Sequence, residues 1–231
     1  MSVITYNNQS FADFETYYDG SKLFAVPEKD VSYFAVPGRS GDLSIFNNRY
    51  NNIDISIDCF IRKDFQKNFM NLINFLYSQN GYKRLETSHE PDIYRMATIA
   101  SHLEPETGSF NKSGRFTLVF NCKPQKFLKS GEMPISVQDS LTLINPTSQI
   151  AYPLIQLVGT GSITINSSVL TLSANTSTTY IDCEIQDCYE GTINRNSDLS
   201  VSGGFPVLTD SNEISFSGFT SVIIYPRWWR L

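Results

Sequence analysis

The stretch from Ile53 to Gly81, IDISIDCFIRKDFQKNFMNLINFLYSQNG, changes its hydrophobic period halfway along. Ile53, Ile55, Ile57, Cys59 and Ile61 alternate with Asp54, Ser56, Asp58, Phe60 and Arg62, the period of two that a half-buried strand requires. From Asp64 onward Phe65, Phe69, Leu72, Ile73 and Leu76 recur at helical spacing. Asp64 is placed to cap the start of this helix and Gly81 to stop it, so the spacing predicts one amphipathic helix over about 64–79, laid on a sheet. Its Phe65/Phe69 stripe reads as core packing.

No other segment carries a convincing helical period. Upstream, residues 1–35 read as short strands and turns: VITYNN, a Tyr-Tyr-Asp-Gly turn at 17–20, then LFAV. Next comes VPGRSGD (36–42), a Gly-Arg-Ser-Gly turn that a phosphate loop, a plain turn capping the strand near Ile53, or a docking loop would each explain. Downstream, 82–99 reads as two strands around His-Glu-Pro-Asp, 103–114 as a polar tip, and Phe116, Leu118, Phe120 and Cys122 alternate once more. Prolines and a Ser-Gly pair in 124–134 suggest a boundary, giving domains 1–130 and 131–231. The second half has short strands every eight to twelve residues, including a hairpin, ITINSSVLTL, turning at Asn166-Ser167-Ser168. That spacing predicts an antiparallel β-sandwich. The fold class is therefore mainly β: a sandwich-like first domain with one helix, then a second sandwich.

Charge narrows the partners. The first 131 residues carry 15 Lys and Arg against 14 Asp and Glu; the remaining hundred carry 3 against 9. Neither half has the basic balance of a nucleic-acid binder. The start, MSVITYNNQSFADF, lacks a signal-peptide pattern, and no apolar run nears the roughly 18 residues of a membrane helix, so the expectation is folding in a cytoplasm without membrane insertion. The sequons at Asn166 and Asn175 then read as accidents of composition. Cys59 and Cys122 sit on buried strand phases and read as buried free thiols; Cys183 and Cys188 have the wrong spacing for a C-x-x-C pair, and no metal site is expected.

Catalytic patterns are missing as well. Gly38 and Gly41 have the wrong spacing for a phosphate loop and no lysine follows. With only His89 and His102 in the chain, histidine-based catalysis has few candidates; Glu86, Glu90, Asp92, Glu104 and Glu106 read as solvated turn charges rather than a hydrolase pair. No catalytic residue and no cofactor is expected. The pair Trp228-Trp229 between Arg227 and Arg230 has two open readings: one Trp in the sandwich core with the other covering its edge, or a partner contact.

Four local patterns occur in order: Pro37-Gly38-Arg39-Ser40-Gly41, Gly81-Tyr82-Lys83-Arg84-Leu85, Pro91-Asp92-Ile93-Tyr94-Arg95 and Phe120-Asn121-Cys122-Lys123-Pro124-Gln125. Over about 130 residues this series resembles the distal tail protein family of long-tailed phages, and the second half, from YPLI to GFTSVIIYPRWWRL, resembles that family's galectin-like carboxy-terminal domain. The resemblance implies a non-enzymatic virion protein at the tail tip, assembled in the host cytoplasm. It implies a homohexameric ring made by the first domains. That hub would join the tail tube protein to tail-tip, baseplate or receptor-binding proteins and let DNA pass without binding it. Pro37, Gly38, Arg39 and Gly41 are then candidates for the subunit contact, and Trp228 and Trp229 for a partner contact. A carbohydrate-binding module is the alternative, although the second half has no histidine for a galectin-type sugar site.

Overall fold

The computed structural model describes residues 2–19, 25–99, 102–107, 112–174 and 177–231. Two compact units emerge, one of Met1–Lys126 with Leu231, the other of Phe127–Arg230.

In the first unit, β1 (Ile4–Tyr6), β2 (Gln9–Ser10), β3 (Thr16–Asp19), β6 (Ile53–Ile61), β7 (Lys83–Thr87), β8 (Ile93–Ile99) and β10 (Gly114–Leu128) form an antiparallel sheet ordered β2-β1-β7-β8-β10-β6-β3. A bridge from Ser2 to Tyr18 curls its two ends toward each other. The alternation holds: Ile55, Ile57 and Cys59 are buried opposite Phe120, Leu118 and Phe116 of β10, and Ile61 is buried opposite Gly114. The helix α1 runs Phe65–Tyr77 and buries Phe65, Leu72 and Leu76 in this core. Phe65 stacks on Phe69, centroids 5.2 Å apart, and Phe69 meets Phe116 edge-on at 5.0 Å. Gly114 is required beneath this stack, since a Cβ there would lie 2.4 Å from the Phe65 ring.

Several local expectations need correction. Asp64 occupies the N-cap position but has φ 46° and ψ 49° and makes no side-chain cap bond. Instead the Asn68 amide reaches back to the Lys63 carbonyl. The helix stops at Tyr77 with Ser78 as C-cap, so Gly81 (φ 70°) serves the turn into β7 rather than the helix end. Residues 17–19 belong to β3, paired with β6, and are not a turn. Leu23 and Phe24, parts of the polar tip at 108–111 and Asn175 lie outside the described residues.

The second unit has two sheets. One is ordered β11 (Ile135–Val137), β21 (Ser221–Tyr225), β13 (Leu154–Val158), β16 (Thr178–Asp182), β17 (Asp187–Glu190), β18 (Ile193–Asn194). The other is β12 (Ser140–Ile144), β20 (Ser211–Ser217), β14 (Gly161–Ile165), β15 (Ser168–Leu172), β19 (Leu199–Ser202). Every pairing is antiparallel. Ile155, Leu157, Ile181, Val222 and Ile224 of the first sheet and Ile163, Ile165, Leu170, Leu172 and Ile214 of the second share one core. Each such side chain contributes about 1.5–3 kcal/mol on full burial. The hairpin of β14 and β15 turns on Asn166-Ser167, with Asn166 at φ 54°.

Candidate functional site

Between β3 and β6 the chain leaves the sheet. Among the described residues, β4 (Lys29–Phe34) and β5 (Leu43–Tyr50) pair only with each other, as a two-stranded hairpin that the sequence pattern did not reveal. The VPGRSGD turn is its tip, so it does not cap the strand at Ile53. The Arg39 N–H bonds the Val36 carbonyl at 3.2 Å around Pro37 and Gly38. Proline second and a positive-φ glycine third (Gly38, φ 78°) are what a type II turn needs, and Gly41 (φ 86°) bends the return.

Register sorts the side chains of this arm. Val31 faces Phe46 and Tyr33 faces Ser44 on one side; Ser32 faces Ile45 and Phe34 faces Leu43 on the other. Phe46 meets Tyr50 edge-on at 5.9 Å, and the Lys29 ammonium lies 5.7 Å from its ring centre. Near the base of the opposite side Asn47 donates to Asp30 and Ser32, and Arg49 pairs with Asp30 at 3.0 Å. Apolar groups therefore occupy both faces, and they are open to solvent: Tyr33 is 67 % exposed, Phe34 53 %, Leu43 49 %, Ile45 46 % and Phe46 41 %. An isolated two-stranded hairpin is at best marginally stable in water, and contiguous exposed apolar surface of this kind marks an interaction site. Pro37, Gly38, Arg39 and Gly41 all sit at its solvent-exposed end.

The two tryptophans separate. Trp228 is buried in the second unit's core, while Trp229 is partly exposed and its Nε1 donates to the Ile150 carbonyl at 2.9 Å. They are held by the chain's last residues folding against its entry into the unit: the Leu128 N–H bonds the Trp228 carbonyl and the Arg227 N–H bonds the Gly131 carbonyl, each at 2.8 Å. Arg227 also clasps Asp182 through two bonds of 2.8 Å, a pairing that the alternation of the last strand did not foretell. Burial works to raise the Asp182 pKa, but the Arg227 guanidinium and the backbone N–H of Glu184 and Ile185 outweigh it and hold the carboxyl below its ordinary value.

Glu86, Glu90 and Glu104 are engaged with separate partners. Glu86 pairs with Arg84 at 2.5 Å and Glu104 with His102 at 3.0 Å. Glu90 is not a solvated turn charge: it is half-buried and lies 3.9 Å from both Arg95 and Lys126. His89 accepts or shares a hydrogen bond with the Tyr18 hydroxyl at 2.8 Å. All four cysteines are free and buried, and burial raises every thiol pKa, Cys122 and Cys183 to about 12 and Cys188 to about 11. Among the described residues no three His, Cys, Asp or Glu side chains converge as metal ligands, and no helix is long and apolar enough to cross a membrane.

Residues 12–122, which include the hairpin and the helix, match the family described as phage tail protein RIFT-related domain. Over its whole length the chain is similar in fold to solved phage hub and baseplate proteins. Its fold is similar, along 100 % of both chains, to Dit of phage SPP1, called a paradigm of the hub adsorption apparatus in phages infecting Gram-positive hosts (TM-score 0.75, 14 % identity). Chains of the phage p2 baseplate, solved in its activated conformation with strontium and with calcium, match over 97 % of both lengths (TM-score 0.60, 7 % identity). No curated protein sequence matches the chain.

Proposed function

We propose that the protein is a structural, non-enzymatic hub at a phage tail tip, six copies closing into a ring through which DNA passes. In this reading the first unit makes the ring. The second, galectin-like unit docks baseplate or receptor-binding proteins, with the partly exposed Trp229 at its contact surface. The tail tube protein and a tail-tip protein cover the ring's two faces, and the assembled hub resides at the virion tail tip. The observation that carries the reading is the apolar hairpin, whose exposed side chains need a protein surface to cover them. Its tip residues Pro37, Gly38, Arg39 and Gly41 then lie at the subunit contact. The double variant Tyr33→Ser/Phe46→Ser tests this. The expected result is loss of self-association with the melting temperature of the separate chain unchanged, because neither ring belongs to the core. Assembly equal to wild type would refute a role for the hairpin in the ring.

A further inference from the structure

We propose that the second unit takes up an extended segment of a partner protein as an added strand along the open edge of β12, and that this segment carries Lys or Arg between apolar residues. This rests on the reading that the second unit docks other tail-tip proteins, and it names the edge that docks them and the chemistry of what is docked.

The two sheets of the second unit end in β11, β18, β12 and β19. β18 has two residues, β11 three and β19 four, while β12 has five. Short length, charged side chains and proline are what guard a sheet edge against further pairing. β12 reads Ser-Leu-Thr-Leu-Ile and has none of them. Among the described residues it pairs with β20 alone, so one row of its backbone N–H and C=O groups faces away from the sheet. The core is open along the same line. Leu141 and Leu143 pack against the core shared by the two sheets but are only partly buried, whereas Ile163, Ile165 and Ile214 on the inner strands are buried. On the outer face Ile144 is 62 % exposed. A strand laid beside β12 gains main-chain hydrogen bonds and covers both leucines, which is what strand addition supplies to a peptide.

Charge selects the occupant. Asp139 precedes the strand. Glu213 stands opposite Thr142 and accepts its hydroxyl at 3.0 Å. At the far end the Asp210 carbonyl takes the Asn145 N–H at 3.0 Å. All three acidic residues are exposed. No Lys or Arg occurs between Lys129 and Arg195 or between Arg195 and Arg227, so neither β12 nor β20 carries a cation. Paired with itself, β12 would line one seam with two sets of these carboxylates, and like charges across a seam suppress that pairing. A segment with Lys or Arg at its outward positions instead brings cations toward Glu213 across Thr142 and toward Asp139 and Asp210 at the ends. Its alternate apolar residues then lie over Leu141 and Leu143.

Labelled peptides added to the full-length chain test this. The probes are Ac-KVKVKVK-amide, the anionic Ac-EVEVEVE-amide, and Ac-KVKPKVK-amide, which keeps the positive charge but loses a backbone donor and fits a strand poorly. By fluorescence anisotropy at low salt, the first should bind with a Kd about tenfold below that of either other probe. Asp139→Lys/Glu213→Lys should reverse the preference between the cationic and anionic probes. Ser202→Lys, on the opposite edge strand β19, should leave the Kd within about twofold. Amide hydrogen exchange should slow in β12 when the first probe is present, and not in β19. The substituted side chains are exposed, and circular dichroism checks that each variant folds. Equal binding of the alternating and proline probes would mean charge attraction alone and would overturn strand addition. Protection of β12 that rises with the chain's own concentration, without a probe, would give the edge to a second copy and overturn the partner segment. A chain that forms rings but ignores the probes sinks the edge and leaves the hub; one that binds the first probe selectively but never forms rings upholds the edge and sinks the hub.

Discussion

Removing the Arg227 side chain should unfold the second unit more easily than removing most core methyl groups would. Asp182 has a side chain 11 % exposed and Arg227 one 26 % exposed, so the pair is largely shielded and its geometry is bidentate. Arg227→Ala leaves the carboxylate with the Glu184 N–H at 3.0 Å but no cation. Stranding a fully buried charge costs about 3–5 kcal/mol; partial exposure reduces the expectation here to about 2–3 kcal/mol. For a unit of this length that is roughly a 10–15 °C fall in melting temperature. The pH dependence has a definite sign. The folded-state pKa of Asp182 is depressed, so its contribution is fully present above the ordinary carboxylate value of about 3.9 and fades as pH falls through the lower folded value. Wild type and Arg227→Ala should therefore differ by a constant amount from pH 7 to pH 5 and converge below about pH 4. Arg227 also sits at φ 57°, so Arg227→Gly should recover about 1 kcal/mol relative to Ala. Calorimetry across pH decides it. A melting temperature within 2 °C of wild type at pH 7, or an undiminished gap at pH 3, would refute the clasp.

Two further outcomes follow from packing in both units. Gly131→Ala would place a Cβ 2.3 Å from the Trp228 backbone nitrogen, so it should cost about 1–3 kcal/mol in urea unfolding, whereas Gly191→Ala meets nothing and is limited to the cost of its positive φ. In thiol titration at pH 8 the native chain should expose none of its four cysteines within minutes and all four in denaturant, because burial both shields them and raises their pKa values.

Elements that bury one face against their own chain could be read directly. The strand Ile53–Ile61 and the helix Phe65–Tyr77 show their periods because only one side of each meets the core. The hairpin Lys29–Tyr50 could not be read this way: apolar residues fall on both phases, Val31 and Tyr33 on one, Phe34, Leu43 and Ile45 on the other, and among the described residues no core covers either face. Its tip, however, announced itself through Pro37-Gly38 and Gly41. The turn signal Tyr-Tyr-Asp-Gly misled because pairing with β6 extends β3 to Asp19. The Asp182–Arg227 clasp was illegible because its two partners lie far apart in sequence and only the fold brings them together.

The most direct test of the hub reading is the mass of the full-length chain in solution across a concentration series, by light scattering, with negative-stain images of the same peak. Six copies of a 26.1 kDa chain give about 157 kDa, and the expected result is a species of that mass that images as a closed ring with a central opening. A monomer at every concentration, or a dimer that grows no further, would contradict it.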